Sequence, residues 1–332
     1  MKFNAFNFIT PSIDDVKKLL FPISKSKWMK LGFISMFAGG GSGGFNMPRG
    51  NFNFGGNSDI SNSMNEITGD AINNHKEGLG VLYYIVFPIV LLVVLFGLIM
   101  TYITSVFSFM FIEALETKKV LIKKSWHNNK SLGFSFFLFR IIIGFFVLGM
   151  IVLLALPLII PLIQQGATTY FENFSLWNIA WIIPAILCLI IFFIVMSVFM
   201  SLVFNFSLVH MYYKKTPAWA SIKTTFKNIG QNKLATFIFL LAKMIVDIVC
   251  VAAALIVALL LIIPMLIIAI PFILIFVLLI IQFGWTISII VGMAVVILVY
   301  MFFYVYLISV LFLPMATFAR YFSIRNYKAL MK

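Results

Sequence analysis

Residues 79–112 read LGVLYYIVFPIVLLVVLFGLIMTYITSVFSFMFI, and none of these 34 side chains carries a charge. At a rise of about 1.5 Å per residue, a helix of this length reaches about 50 Å, well beyond the ~30 Å hydrocarbon core of a bilayer. Three more apolar tracts follow. Residues 134–163 are interrupted only by Arg140, residues 176–209 are uncharged, and residues 235–319 are apolar apart from Lys243, Asp247 and scattered Gln, Ser and Thr. Across 332 residues the chain is 63% hydrophobic and only 10% charged, against about 25% charged in an ordinary soluble domain. There is too little polar surface to coat a water-soluble globule of this size. The expectation is an all-α, polytopic integral membrane helix bundle.

Charge placement sets the topology. The formal net charge is +14, but the basic residues cluster between the apolar tracts rather than on one soluble face. One cluster holds Lys118, Lys119, Lys123, Lys124 and Lys130, and a second holds Lys214, Lys215, Lys223, Lys227 and Lys233. Arg320, Arg325, Lys328 and Lys332 lie in the tail, whereas residues 164–175 contain one acid, Glu172, and no base. Lys and Arg stay on the cytoplasmic side of a membrane. Both basic segments and both termini are therefore expected in the cytoplasm, with the chain in the cell membrane. The pattern argues against a nucleic-acid partner and for anionic membrane lipids, whose headgroups basic segments hold. No protein partner is indicated. About six crossings result, with residues 28–38 as a short first one and the last tract split into helices over 235–263 and 286–318. The proline-bounded piece between them, Pro264 to Trp285, is expected to be re-entrant or to lie in the outer interface.

Three regions emerge. Residues 1–38 contain a helix from Ile13 to Phe21, capped by Ser12 and expected at the membrane surface. A basic and aromatic anchor, Lys25, Lys27, Trp28 and Lys30, follows it. The start of the chain lacks the continuous apolar core of a cleavable signal peptide. Residues 39–78 are rich in Gly, Asn and Ser and are expected to form a flexible extracytoplasmic loop. Its run FAGGGSGGFNMP (37–48) has neither the GxxxxGK[ST] nor the strand-flanked GxGxxG that a phosphate cradle needs. Residues 79–332 form the transmembrane domain. Cys188 and Cys250 both sit inside apolar tracts, with no metal spacing. The sequon at Asn173–Ser175 lies so close to the next helix that its use is not expected.

The chain also resembles itself. VFSFMFIEAL (106–115) parallels VFNFSLVHMY (203–212), and NKSLGFSFFLFRII (129–142) parallels NKLATFIFLLAKMI (232–245). Arg140 then falls on Lys243, and Pro161 on Pro264. Each unit is a helix in, a basic elbow and a helix out, so the repeat is parallel rather than inverted. The elbows are amphipathic: Trp219, Ile222, Phe226 and Ile229 recur at helical spacing, away from Lys223 and Lys227. Leu115, Ile122 and Trp126 do the same beside Lys123 and Lys124. Such helices suit a lipid surface. Lys118, Lys119, Lys123, Lys124, Lys223 and Lys227 are the candidate headgroup contacts.

Ionisable groups inside spans are functional suspects because an unpaired charge in lipid is costly. Lys243 and Asp247, four residues apart, share a helix face as an ion pair. With Arg140, Glu113 and His210 they make a candidate polar cluster near the cytoplasmic side. No catalytic motif is present: the histidines His75, His127 and His210 are dispersed, and no HExxH, GxSxG or paired carboxylates occur. Neither an enzyme nor a cofactor is expected.

The segments WMKLGFISMFAGGGSGG (28–44), FIEALETKKVLIKKSW (111–126), KKTPAWASIKTTFKNIGQNK (214–233) and LPMATFARYFSI (313–324) give the chain a family resemblance. It resembles uncharacterised multi-spanning proteins of archaea and bacteria. That group is distantly similar to the membrane domain attached to some glycerophosphoryl diester phosphodiesterases. The resemblance implies an all-helical integral membrane fold and no assigned activity; the phosphodiesterase catalytic barrel is absent. Two function classes follow: a membrane scaffold, assembly or lipid-organising protein, and a transporter or channel for an unidentified solute.

Overall fold

The computed structural model describes residues 4–38, 77–165, 176–284 and 286–330, and among them every regular element is helical. A 3-10 turn, Ala5–Phe8, leads into α1 (Ile9–Leu20) and α2 (Lys25–Phe37). Then come α3 (Glu77–Thr117), α4 (Ile122–Gln165) and α5 (Leu176–Leu202). The last of these runs through a π turn, Val203–Ser207, into α6 (Leu208–Lys214). The chain ends with α7 (Ala218–Gln231), α8 (Lys233–Phe283), α9 (Ile287–Leu311) and α10 (Leu313–Leu330). The Gly-rich loop, the Glu172 loop, the sequon and His75 lie outside the described residues.

Local chemistry moves several expected boundaries. The first helix starts at Ile9, because Pro11 is tolerated within a first turn, where an N–H has no partner to lose. Ser12 is therefore inside α1, and its hydroxyl donates back to the Phe8 carbonyl at 2.6 Å instead of capping. The expected break at Pro264 does not occur. α8 is one helix of 51 residues containing both Pro264 and Pro271, about 76 Å long. Each proline costs one backbone bond, a loss that long apolar helices tolerate. The terminator is Gly284, which adopts φ +69°, a conformation that suits glycine. Nor does one helix cover 286–318. Phe312 separates α9 from α10 because Pro314 cannot donate back toward Val310, yet sits comfortably in the first turn of a new helix.

Two zones divide the molecule. In the base, the ends of α3, α5–α6 and α9 pack with the starts of α4 and α8, and α1, α2, α7 and α10 fill in around them. Buried residues include Phe109, Phe136, Phe206, Phe239 and Phe322. Beyond the base, α3, α4, α5, α8 and α9 project as arms with their apolar side chains outward, from Phe87 on α3 to Phe283 on α8. Among the described residues, five helices are long and apolar enough to cross a membrane: Phe87–Thr117, Ile122–Leu156, Ile186–Lys214, Lys233–Phe283 and Ser288–Leu311. Only 6–17% of their most apolar windows is buried within the protein. Their remaining surface needs an apolar solvent.

α2 is not among these five. Its 13 residues extend about 20 Å, and it wedges between α9 and α3. Gly32 meets Val310 so closely that a Cβ on the glycine would lie 2.5 Å from Val310 Cγ2. On the other side, the Phe33 and Phe37 rings pack on Phe107 at 5.9 and 5.1 Å. The helix from the start of the chain thus joins α9, near its end, to α3.

Candidate functional site

Charged groups in the base fall into an inner set and a rim. Within the inner set, Lys243 and Asp247 bond directly on α8. Lys243 is 1% exposed, while the Asp247 side chain keeps 18% exposure. Arg140, on α4, stacks its guanidinium over Phe136 at 5.1 Å and Phe204 at 4.7 Å, and reaches Ser105 Oγ at 3.4 Å. Such stacking favours a cation over an aromatic face in an apolar setting. Phe204 belongs to the π turn, and its carbonyl accepts a 3.0 Å bond from Nη1 of Arg320. Arg320 is completely buried, and its Nε and Nη2 have no hydrogen-bond partner among the described residues. Burial pushes its guanidinium down to about 9, which leaves it charged at neutral pH.

Glu113 and His210 stand apart from the Lys243–Asp247 pair. Glu113 accepts from Asn129 Nδ2 at the α3–α4 elbow. His210 Nδ1 shares a 2.8 Å hydrogen bond with the Tyr327 hydroxyl, and burial raises the Tyr327 phenol above its usual range. The five sequence candidates therefore occupy separate contacts in one zone, bridged by the π turn and α10 rather than gathered in a single cluster. Sequence reading missed Arg320, counting it among the tail charges. The available signal was its setting, TFARYFSI (317–324), a lone cation among apolar and small residues.

A clasp ties the termini into the base. Arg325 Nη2 meets Asp15 Oδ2 at 2.6 Å, Lys328 Nζ meets Glu116 Oε1 at 3.1 Å, and the Tyr321 hydroxyl donates to the Leu115 carbonyl at 2.8 Å. Burial, reinforced by Asp15 and Glu116, raises the Tyr321 phenol and keeps it a donor. Ion pairs this exposed contribute little, about 0–1 kcal/mol each; the buried tyrosine bond fixes the geometry. α1 consequently buries Val16, Leu19 and Leu20 in protein, where a helix at the lipid surface was expected.

The rim is basic. Lys118, Lys119, Lys123 and Lys124 at the first elbow, and Lys223 and Lys227 on α7, are all exposed. The apolar face of α7, however, turns inward: Ile222 is buried and Phe226 stacks on Phe199 at 5.2 Å. Trp219 alone projects, 70% exposed. Tertiary packing has claimed the stripe that lipid was expected to cover. The start of α7 is held by Ser135, whose hydroxyl accepts from the Ala218 N–H at 3.0 Å.

Matching positions in the two repeated stretches make matching contacts. Phe109 packs edge-on against Phe136 at 6.0 Å, and their counterparts Phe206 and Phe239 meet at 4.5 Å. Among the described residues, Lys118 and its counterpart Lys215 are the non-glycine ones with positive φ, at 55° and 53°. A third pair, unread in the sequence, joins the chain ends. Tyr102, Ser105 and Val106 recur as Tyr306, Ser309 and Val310, and Leu132–Gly133–Phe134 recurs as Leu31–Gly32–Phe33. Gly133 touches Val106 as Gly32 touches Val310, with 2.5 Å to Cγ2 in both cases.

No group of His, Cys, Asp and Glu suited to a metal ion occurs among the described residues. No curated protein and no solved structure matches the chain, so nothing found supports the likeness to the phosphodiesterase membrane domain. Residues 3–329 match a family described as a family of unknown function (DUF7544), and since the match covers nearly the whole length, the chain belongs to that family.

Proposed function

We propose that this chain is a multi-pass protein of the cell membrane that organises lipid or assembles partners, without catalysing a reaction. Its base faces the cytoplasm and its arms lie in the bilayer. One observation carries the reading: the exposed lysines of both elbows ring the same end that holds α1 and α10, while the arms present apolar side chains along their length. A basic rim beside apolar helices matches an anionic leaflet, where each Lys near the surface contributes about 1 kcal/mol. Trp219 beside Lys223 and Lys227 fits the headgroup boundary, where an aromatic ring has one apolar and one wet side. A transporter or channel is favoured only by the Lys243–Asp247 pair inside a span.

Lipid retention tests the proposal. Purified protein in nanodiscs of mixed anionic and zwitterionic lipid should enrich the anionic species around itself. Replacing Lys118, Lys119, Lys123, Lys124, Lys223 and Lys227 by Gln should abolish that enrichment while the protein stays folded. Equal lipid composition around both proteins, or selective solute flux in proteoliposomes that Asp247→Asn eliminates, would overturn it.

A further inference from the structure

Lys27 and Trp28 read in the sequence as part of a basic and aromatic anchor, but both are engaged with α1 instead. Lys27 Nζ donates to the Leu19 carbonyl at 2.7 Å and Trp28 Nε1 to the Leu20 carbonyl at 3.1 Å. The Phe21 N–H donates to the Lys17 carbonyl at 2.9 Å. Carbonyls that the end of a helix leaves without partners are thus met by the chain that follows, which fixes the turn from α1 into α2. Held in this way, the turn exposes large apolar side chains: Phe21 is 56% exposed, Ile23 63% and Met29 56%. Lys25 and Lys30 stand exposed among them. No acid occurs between Asp15 and Asp59 to balance these lysines, and Asp15 is paired with Arg325. The start of α2 also lies against a span, because the Met29 carbonyl accepts at 3.2 Å from the hydroxyl of Tyr306, near the end of α9.

We infer that the α1–α2 turn is a third lipid-docking point of the base, with Phe21, Ile23 and Met29 set into the inner leaflet and Lys25 and Lys30 against anionic phosphates. The inference rests on the reading of the base as the cytoplasmic, lipid-contacting end. Both elbows have the same make-up: Leu121, 54% exposed, stands beside Lys119, Lys123 and Lys124, and Trp219, 70% exposed, beside Lys223 and Lys227. The repeat brings the turn into register with the first elbow, since it precedes Gly32 as that elbow precedes Gly133. Chemistry selects the occupant. Lysines interleaved with large apolar side chains, beside the end of an apolar span, suit a headgroup boundary. There the apolar groups sink below the phosphates and the ammonium groups stay level with them. Because its bonds to α1 already fix the turn, little conformational freedom is lost on docking.

Nitroxide depth measurements on the full chain in nanodiscs test this. In a background of Cys188→Ala and Cys250→Ala, Ile23→Cys is spin-labelled. Asp14→Cys serves as the reference for water, and Leu260→Cys, exposed on the apolar arm of α8, as the reference for lipid. In discs containing anionic lipid, the Ile23 label should collide with oxygen more often than with a water-soluble nickel complex, as the Leu260 label does. Lys25→Gln with Lys30→Gln should shift it toward the Asp14 ratio; an unmoved ratio would overturn the anionic preference. Nickel collisions as frequent as at Asp14 would put the turn in water and overturn the inference, even where the elbow lysines still enrich anionic lipid. A label shielded from both reagents would mean cover by protein, such as a second copy of the chain, and would overturn it as well. A lipid-like label without anionic enrichment around the protein would uphold the docked turn and sink only the wider lipid-organising role.

Discussion

At Gly133 and Gly32 a single hydrogen decides how closely two helices approach. A built Cβ at Gly133 lies 2.5 Å from Val106 Cγ2 and 2.8 Å from Val106 Cα; the backbone atom cannot swing away. Gly133→Ala and Gly32→Ala should each destabilise the protein by about 1–3 kcal/mol, the usual cost of overpacking. Gly144→Ala, with nothing within 4 Å of its Cβ, should be neutral or slightly stabilising. Chemical denaturation in detergent distinguishes the three, and equal midpoints would refute the close-packing account. The ion pair on α8 makes a second residue-scale prediction. Asp247→Asn removes the carboxylate that bonds buried Lys243, at a cost of about 3 kcal/mol, the low end for a broken buried pair because Asp247 is 18% exposed. Lys243→Met with Asp247→Leu should recover most of it. A double variant no more stable than Asp247→Asn would mean that the pair matters for more than charge compensation.

Among the helices, α8 carries the clearest prediction. It passes through Pro264 and Pro271 without interruption, so replacing either with Ala should keep the architecture and stabilise it, by up to about 3 kcal/mol where the helix is otherwise unstrained. A change in which side of the membrane labels at Gly284 would show instead that the prolines create a turn. This is also where sequence reading reached its limit. Apolar length, the two basic elbows and the Lys243–Asp247 spacing were legible, because each is a local property of a stretch of chain. The continuity of α8 was not, since proline's lost bond is tolerated or not according to the surroundings. α10 was misread as a basic tail for a related reason. The burial of Arg320 depends on Phe204, more than a hundred residues away, and the inward turn of α7 depends on Phe199. Ser12 misled because a good capping residue also bonds well inside a helix.

On the scale of the whole molecule, the ends of the chain complete the base. α2 joins α9 to α3 through Gly32 and Phe107, and α1 docks on α10 through Asp15 and Arg325. Removing residues 1–38 should therefore uncover the Val310 and Phe107 faces together and abolish a monodisperse product, whereas a loose surface appendage would be dispensable. The same arrangement places both terminal helices and both elbows at one end, with Gly284 at the tip of the α8–α9 hairpin at the other. Sidedness labelling tests this most directly. With Cys188 and Cys250 replaced by Ala, single cysteines at Lys17, Lys123, Lys223 and Lys328 should react with an impermeant reagent only from the cytoplasmic side, and a cysteine at Gly284 only from outside. Reaction of Lys123 and Lys223 positions from opposite sides, or of any of the four from the exterior, would contradict the account.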